Sequence, residues 1–186
     1  MAPLQGHPLG GSCGRERLVS RQMIFKILIG VFAVLGLLLA LRLAFLSKSS
    51  KSPPILGASD GRLTPCPRNR NCVSSQAKGQ AHRIAAITAR GSEQGALARA
   101  RDAINSMRGG RVIEVQGGYL RAEFSSGLFR FVDDLELLWT PDDQSFDVRS
   151  ASRVGNFDLG ANRRRVEALR RRLQGAASKA IDQQDE

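Results

Sequence analysis

The 186-residue chain has few of the residue types that build metal and enzyme sites: three cysteines, two histidines, one tryptophan and one tyrosine. A zinc site needs several Cys or His ligands at close spacing, and only His82 lies near two of the cysteines. The sequence also lacks a glycine-rich phosphate-binding loop and a nucleophile elbow. These absences disfavour zinc proteins, nucleotide hydrolases and serine hydrolases, and we expect no cofactor.

Enzymatic activity is therefore the least favoured function. A hydrolase that uses Asp133, Asp134 and Asp158 is an alternative, although paired acids within a strand more often have a structural role.

The net charge of +11 invites a nucleic-acid interpretation, but the charge is spread along the chain. Residues 1–51 contain seven Lys or Arg and one Glu, which gives +6, and residues 52–186 contain twenty-one and sixteen, which gives +5. The first group flanks an apolar segment, where basic residues serve membrane topology. The remainder is only mildly basic and offers Tyr119 alone for base stacking on its sheet, so nucleic-acid binding is disfavoured.

Residues 23–46 form a long apolar segment that predicts a transmembrane signal anchor. The uninterrupted centre, Ile27–Leu41, has fifteen residues, and the whole segment has 24, which corresponds to about 36 Å of helix. No small-residue cleavage site follows, so we favour an uncleaved span over a cleaved signal peptide or a buried helix. Residues 1–22 are predicted to be a disordered leader, and Met23 is an alternative start.

Cys66 and Cys72 lie six residues apart in a loop rich in Pro and Asn, where they can approach to disulfide distance across a tight turn. We favour a structural disulfide over two reduced thiols. The basic residues beside the apolar segment, four before it and three after it, do not decide its orientation. A disulfide requires an oxidising compartment, so we expect a single-pass protein of the cytoplasmic (inner) membrane with its C-terminal domain in the periplasm.

The remaining sequence predicts an α+β domain over residues 64–174, after a flexible linker (residues 47–63) and before a disordered tail (residues 175–186). Two helices are expected, over Ser92–Met107 and Leu159–Leu173. Between them we expect a four-stranded antiparallel meander that the two helices cover on one face. Its strands are predicted over Arg111–Gln116, Tyr119–Phe124, Leu128–Trp139 and Phe146–Val154.

Alternation along these strands assigns one apolar and one polar face. The apolar face comprises Ile113, Val115, Leu120, Ala122, Phe124, Phe129, Phe131, Leu135, Leu137, Trp139, Phe146 and Val148. The polar face comprises Glu114, Tyr119, Arg121, Glu123, Arg130, Asp134, Glu136, Asp147, Arg149 and Arg153. The favoured interpretation of the polar face is a solvated surface with cross-strand ion pairs.

The alternative is a recognition surface, in which Arg149 and Arg153 hold an anionic group while Asp134 and Glu136 orient them. Asp133 falls on the apolar face, where an unpaired carboxylate would be costly. It must either have a partner or be moved outward by a β-bulge at Asp133–Asp134, and we predict the bulge.

Four sequence blocks, CPxxxNCVSSQA, GYLRAEF, FRFVDDLE and VRSASRVGxxDLGxNRRRVE, resemble the bacterial and plastid family named domain of unknown function 1499. The resemblance covers roughly Thr64–Leu173. It implies a small, membrane-anchored or exported α+β domain and supplies no established activity.

The favoured function is a non-enzymatic binding or assembly module at the cell envelope, with the membrane and a protein or small anionic ligand as partners. The candidate binding residues are Arg149, Arg153, Asp134, Glu136, Asp158, Asn162, Arg163 and Arg165. The N-terminus of the second helix would favour an anion there. The alternative is binding of anionic lipid, or of nucleic acid, through the arginine-rich helix Arg163–Arg172.

Overall fold

The computed structural model describes residues 13–182, which divide into two compact units, the first ending at Leu43 and the second beginning at Ala44. Helix α1 (Cys13–Ser50) starts within the predicted leader, most of which lies outside the described residues. Among the described residues, Arg21–Ser50 is the one stretch of helix long and apolar enough to cross a membrane, with a mean hydropathy of 2.7. A helix of this kind near the N-terminus could be a membrane anchor or a signal sequence.

The second unit has the predicted α+β architecture, built on an antiparallel sheet. Its elements in chain order are β1 (Ala58–Ser59), β2 (Arg62–Leu63), β3 (Cys72–Ser74), β4 (Ile87–Thr88), α2 (Glu93–Asn105), β5 (Gly110–Gln116), β6 (Tyr119–Ser125), β7 (Val132–Thr140), β8 (Ser145–Ser152) and α3 (Ala161–Asp182). Ser92 caps α2 by accepting a hydrogen bond from the Gly95 amide.

The predicted four-stranded meander is incomplete, because the main sheet has six strands in the order β3-β8-β7-β6-β5, with β4 also paired to β8. The four predicted strands form the continuous part of this sheet. The two additional strands have three and two residues, which is too short for alternation to reveal them. A separate two-stranded hairpin, β1–β2, lies within residues 47–63, where composition predicts a linker.

The core lies between the sheet and helices α2 and α3, as the apolar pattern predicts for β6, β7 and β8. Buried side chains of the sheet are Leu120, Ala122, Phe124, Leu135, Leu137, Trp139, Phe146 and Val148, and helix residues such as Ile104 and Leu169 pack against them. Ile113 and Val115 are exposed, contrary to prediction. A register shift between Val112 and Glu114 leaves Ile113 as an extra residue without a partner on β6. Val115 pairs with Leu120 on the predicted face, but it lies near the end of β5, which is an edge strand, and stays exposed.

Two further predictions about β7 are wrong. The strand begins at Val132 instead of Leu128, so Phe129 lies in a loop and is exposed. No bulge occurs at Asp133–Asp134, where the pairing with β6 and β8 is continuous. Asp133 therefore remains on the helix side of the sheet, and the alternative holds, because it has a partner there in Arg165.

Candidate functional site

Six charged side chains on the face opposite the helices form what we call the ionic layer: Arg121, Glu123, Asp134, Glu136, Arg149 and Arg153. They come from β6 and β7, from β8, and from the residue just after β8. Cross-strand register places them together, since Arg121 lies opposite Glu136, and Glu136 opposite Arg149.

Arg153 is the centre of the ionic layer. Its Nε donates to Asp134 Oδ2 at 2.7 Å and one Nη donates to Asp134 Oδ1 at 2.7 Å, a bidentate arrangement. The same Nη reaches Glu123 Oε1 at 2.5 Å. The other Nη donates to the backbone carbonyls of Ser50 at 3.1 Å and Lys51 at 3.4 Å. All three guanidinium nitrogens are thus engaged within the protein.

Arg149 and Glu136 form the second part of the layer. Arg149 Nη1 donates to Glu136 Oε2 at 2.8 Å, and the Tyr119 hydroxyl donates to Glu136 Oε1 at 2.9 Å. The Glu136 side chain is fully buried and that of Arg149 is 7% exposed. Burial raises the pKa of Glu136 despite the attraction of Arg149, and burial together with the Glu136 charge raises the pKa of Tyr119.

The ion pairs expected on this face are present, but the ionic layer is covered, so the expectation that the face is solvated is wrong. Residues 50–66, which we call the covering segment, run across it, and β2 contacts both β7 and β8. Leu63 of this segment is buried. Gln76 holds the segment in place, since its carboxamide accepts from the Leu63 amide at 2.9 Å and donates to the Gly61 carbonyl at 2.9 Å.

A second polar cluster, the Asn162 network, lies on the opposite face, between the sheet and α3. Its members are Asn71, Asp133, Ser150, Ser152, Asp158, Asn162 and Arg165. The Asn162 amide nitrogen donates to the Asn71 carbonyl at 2.9 Å, to Ser152 Oγ at 3.0 Å and to Asp158 Oδ2 at 2.9 Å. Its oxygen accepts from Ser150 at 2.7 Å and from Arg165. One buried side chain therefore joins β8, α3 and the residue before β3.

Asp158 closes the first turn of α3. Its carboxylate accepts from the backbone amides of Gly160 at 2.9 Å and Asn162 at 2.8 Å. Burial by itself would raise the pKa of Asp158, but these hydrogen bonds to the charged form outweigh it and the pKa is lowered. The helix N-terminus, where sequence reasoning placed an anion, is occupied by the protein's own carboxylate.

The structure places the eight candidate binding residues in three different environments. Asp134, Glu136, Arg149 and Arg153 belong to the ionic layer on one face, whereas Asp158, Asn162 and Arg165 belong to the network on the other. Arg163 is exposed and donates to the Arg83 carbonyl at 2.7 Å. Asp133, Asp134 and Asp158 likewise do not converge on a common point, because the first two project to opposite faces of β7.

The arginines of α3 are partly committed to internal contacts. Arg165 bonds Asp133 and stacks over Phe124, 4.8 Å from the ring centre. Arg170 donates to the backbone carbonyls of Ala85 and Ala86. These two side chains hold α3 on the domain, which reduces the number left for phosphate groups along the predicted lipid-binding helix.

Sequence reasoning missed a cleft beside the disulfide. Cys66 and Cys72 are bonded, as predicted, and Cys66 lines one wall. The cleft has a volume of about 420 Å³. It is lined by Arg62, Leu63, Pro65, Cys66, Ser74, Gln76, Ala77, Lys78, Gly79 and His82. We call it the basic cleft, because its lining contains no acidic side chain. Asp147 does not line the cleft, but its carboxylate accepts a hydrogen bond from the Gln76 side chain at 2.7 Å.

His82 has a fixed ring orientation in the basic cleft. Its Nδ1 lies 2.9 Å from the Cys72 carbonyl oxygen, which can only accept, so Nδ1 carries the hydrogen. Cys72 is thereby bonded both to Cys66 through its sulfur and to His82 through its backbone. Arg62 and Lys78 are visible in the sequence as basic residues, but their separation along the chain gives no indication that they line one cleft.

Residues 62–173 match the family described as "Protein of unknown function (DUF1499)". The chain belongs to the DUF1499 family. No curated protein and no solved structure matches it. The DUF1499 region runs from β2 into α3, so it includes the ionic layer, the Asn162 network and the basic cleft.

Proposed function

We propose that this DUF1499 protein is anchored in the cytoplasmic membrane by α1, and that its domain is a non-enzymatic binding module on the outer face. The ligand is a small anionic group, such as a phosphate or a carboxylate, or a partner molecule that carries one. It binds in the basic cleft. The supporting observation is the cleft itself, whose charged lining residues, Arg62 and Lys78, are both cationic.

The location is supported by the disulfide and by the uninterrupted apolar helix. The Cys66–Cys72 bond forms and persists in oxidising compartments and is rare in the cytosol. A helix of 30 residues over Arg21–Ser50 is long enough to cross a bilayer. Together they favour a domain outside the cytoplasm, tethered to the membrane that it crossed.

The basic cleft is a better ligand site than the ionic layer, because within residues 13–182 its cations form no ion pair. In the ionic layer, Arg153 is fully engaged and buried under the covering segment. An anion there would have to displace carboxylates already held at 2.7 to 2.8 Å. Arg62 and Lys78 are exposed at the surface, where a ligand can reach them.

Titration calorimetry of the full chain in detergent, with inorganic phosphate as the probe, tests this proposal. We expect binding that is lost in Arg62→Gln and Lys78→Gln and retained in Arg111→Gln. Arg111 is a matched control, because it is an exposed arginine on β5 that does not line the cleft. Absence of binding to the unsubstituted chain, or equal binding by all three variants, would contradict the proposal.

An alkaline phosphatase fusion after Gln174 tests the location independently. This enzyme needs disulfides and is active only where they form. The proposal expects an active fusion. A fusion that is expressed in full but inactive would place the domain in the cytoplasm and would remove the topological part of the proposal.

A further inference from the structure

The loops at one end of the sheet carry several exposed, large apolar side chains. Strand register defines this end, because Ser125 pairs with Val132 and Asp133 pairs with Ser152. The loops Ser126–Phe131 and Arg153–Gly160 therefore leave the sheet on the same side. We call these two loops the loop end of the domain.

Four apolar side chains of the loop end face solvent. Leu128 is 82% exposed, Phe129 42%, Phe157 62% and Leu159 77%. Single exposed apolar residues are ordinary on protein surfaces, but four within two adjacent loops are not. Such a group indicates an interaction surface.

The first loop is held in a defined shape. The Ser126 amide donates to the Phe131 carbonyl at 2.9 Å, and the Phe131 amide donates to Ser126 Oγ at 2.9 Å. Arg130 adopts a φ of 53°, in the left-handed region that only a constrained turn imposes on such a residue. Because the base is closed by two hydrogen bonds, Leu128 and Phe129 are presented at the tip.

The loop end lies beside the last residue of α1. Ser50 is buried in the second unit, where its hydroxyl accepts from the Val132 amide at 3.2 Å. Its carbonyl accepts from Arg153, the first residue of the second loop, at 3.1 Å. The end of the first loop and the start of the second therefore lie within a residue of a direct contact with Ser50.

The distance from Ser50 to a bilayer is short. The apolar part of the helix ends at Leu46, four residues earlier, which is about 6 Å along a helix axis. Phe129 is three residues from Val132, so its backbone lies within about 11 Å of that residue. A lipid surface in which α1 is embedded is thus within reach of the loop end.

The charges of the loop end suit lipid headgroups. Arg130 is exposed in the first loop, and the Arg108 guanidinium lies against Gly127 of that loop. Lys48 and Lys51 flank Ser50 in the sequence. Apolar tips framed by cations are the pattern of surfaces that lie in the membrane interface.

We infer that the loop end is a second membrane contact, in which Leu128, Phe129, Phe157 and Leu159 enter the headgroup region of the bilayer that holds α1. The inference rests on the anchoring role of α1 in the proposed function. It adds that the domain is held against the lipid surface by two loops as well as by its tether. The occupant of this surface is lipid, and a protein partner would be excluded from it.

Fluorescence quenching in nanodiscs tests the contact. The full chain is reconstituted in phosphatidylcholine with brominated acyl chains, and tryptophan is introduced by Phe129→Trp or Phe157→Trp. Val115→Trp is the matched control, because Val115 is an exposed apolar residue of β5 near the opposite end of the sheet. The native Trp139 is buried and gives a common background.

We expect brominated lipid to quench the tryptophan at position 129 or 157 severalfold more than the one at position 115. Quenching of positions 129 and 157 no greater than that of position 115, in a chain that co-elutes with nanodiscs, would overturn the loop contact and leave the anchor intact. A chain that fails to co-elute with nanodiscs would overturn both. The replaced side chains are exposed, and a denaturant midpoint equal to that of the unsubstituted chain verifies folding of each variant.

Discussion

On the helix side of the sheet, Arg165 Nη2 of α3 donates a hydrogen bond to Asp133 Oδ2 of β7 at 2.5 Å. Both side chains are largely buried, at 12% and 15% exposure. The pair explains how a carboxylate lies between apolar neighbours without a bulge, because the helix brings a cation to it. It also joins the third strand of the meander to the last helix.

Arg165→Met should lower the free energy of unfolding by about 2–3 kcal/mol, since it leaves the Asp133 carboxylate without its cation. Denaturant unfolding of the full chain in detergent, followed by Trp139 fluorescence, measures this. Arg164→Met is the control, because Arg164 is exposed and should change stability by less than about 0.5 kcal/mol. Equal effects of the two substitutions would show that the pair does not stabilise the fold.

Arg153→Met should destabilise the domain more, by about 3–5 kcal/mol, because it strips Asp134 of a bidentate partner in a buried setting. Arg111 binds the same Glu123 from a side chain that is 74% exposed, so Arg111→Met should cost less than about 1 kcal/mol. Hydrogen exchange of the Lys51 and Ser52 amides should accelerate in the first variant only, because Arg153 holds the start of the covering segment through the Ser50 and Lys51 carbonyls. Unchanged exchange would contradict the role given to Arg153 in holding the covering segment.

Loss of the disulfide in Cys66→Ser/Cys72→Ser should cost about 2 kcal/mol, because a short loop constrains the unfolded chain only modestly. The same variant should bind phosphate more weakly, since Cys66 forms a wall of the basic cleft. Unfolding measurements and calorimetry on the two forms test both effects. Unchanged phosphate binding would mean that the cleft does not depend on the bond.

The stability of the domain should depend on pH through Asp158. Its pKa is lowered by folding from an ordinary value of 3.8, so the stabilisation is present above that value and is lost as the pH falls through the folded pKa. Asp158→Asn should therefore be less stable than the unsubstituted chain near neutral pH, and the difference should shrink in acid. Asp143→Asn, in an exposed turn, provides the control. A pH-independent difference would contradict the assignment.

The sequence predicts those parts of the fold that depend on local periodicity. Alternation correctly assigns Leu120, Ala122, Leu135 and Leu137 to the core, and Gly117-Gly118 correctly marks the hairpin between β5 and β6, with positive φ at both residues. Alternation fails for Ile113, because it is an extra residue in β5 without a partner on β6. Nothing in the composition of that strand signals the insertion.

The candidate sites were harder to predict, because they depend on contacts between distant parts of the chain. Arg165 and Asp133 are 32 residues apart, and Arg153 and Ser50 are 103 apart. The covering segment is rich in Ser and Pro and has no periodicity, so its composition resembles that of a linker although it covers a buried ionic layer. The basic cleft similarly joins residues that no spacing rule relates.

The central claim is that a disulfide-bonded domain is held outside the cytoplasm by α1, and thiol labelling of the native protein tests it most directly. Membranes from cells expressing the full chain are treated with an alkylating reagent without reductant. Mass spectrometry of the peptides containing Cys66 and Cys72 then measures the alkylation of each cysteine. The account predicts that both residues escape alkylation and become reactive only after reduction. Alkylation of both cysteines before reduction would contradict it.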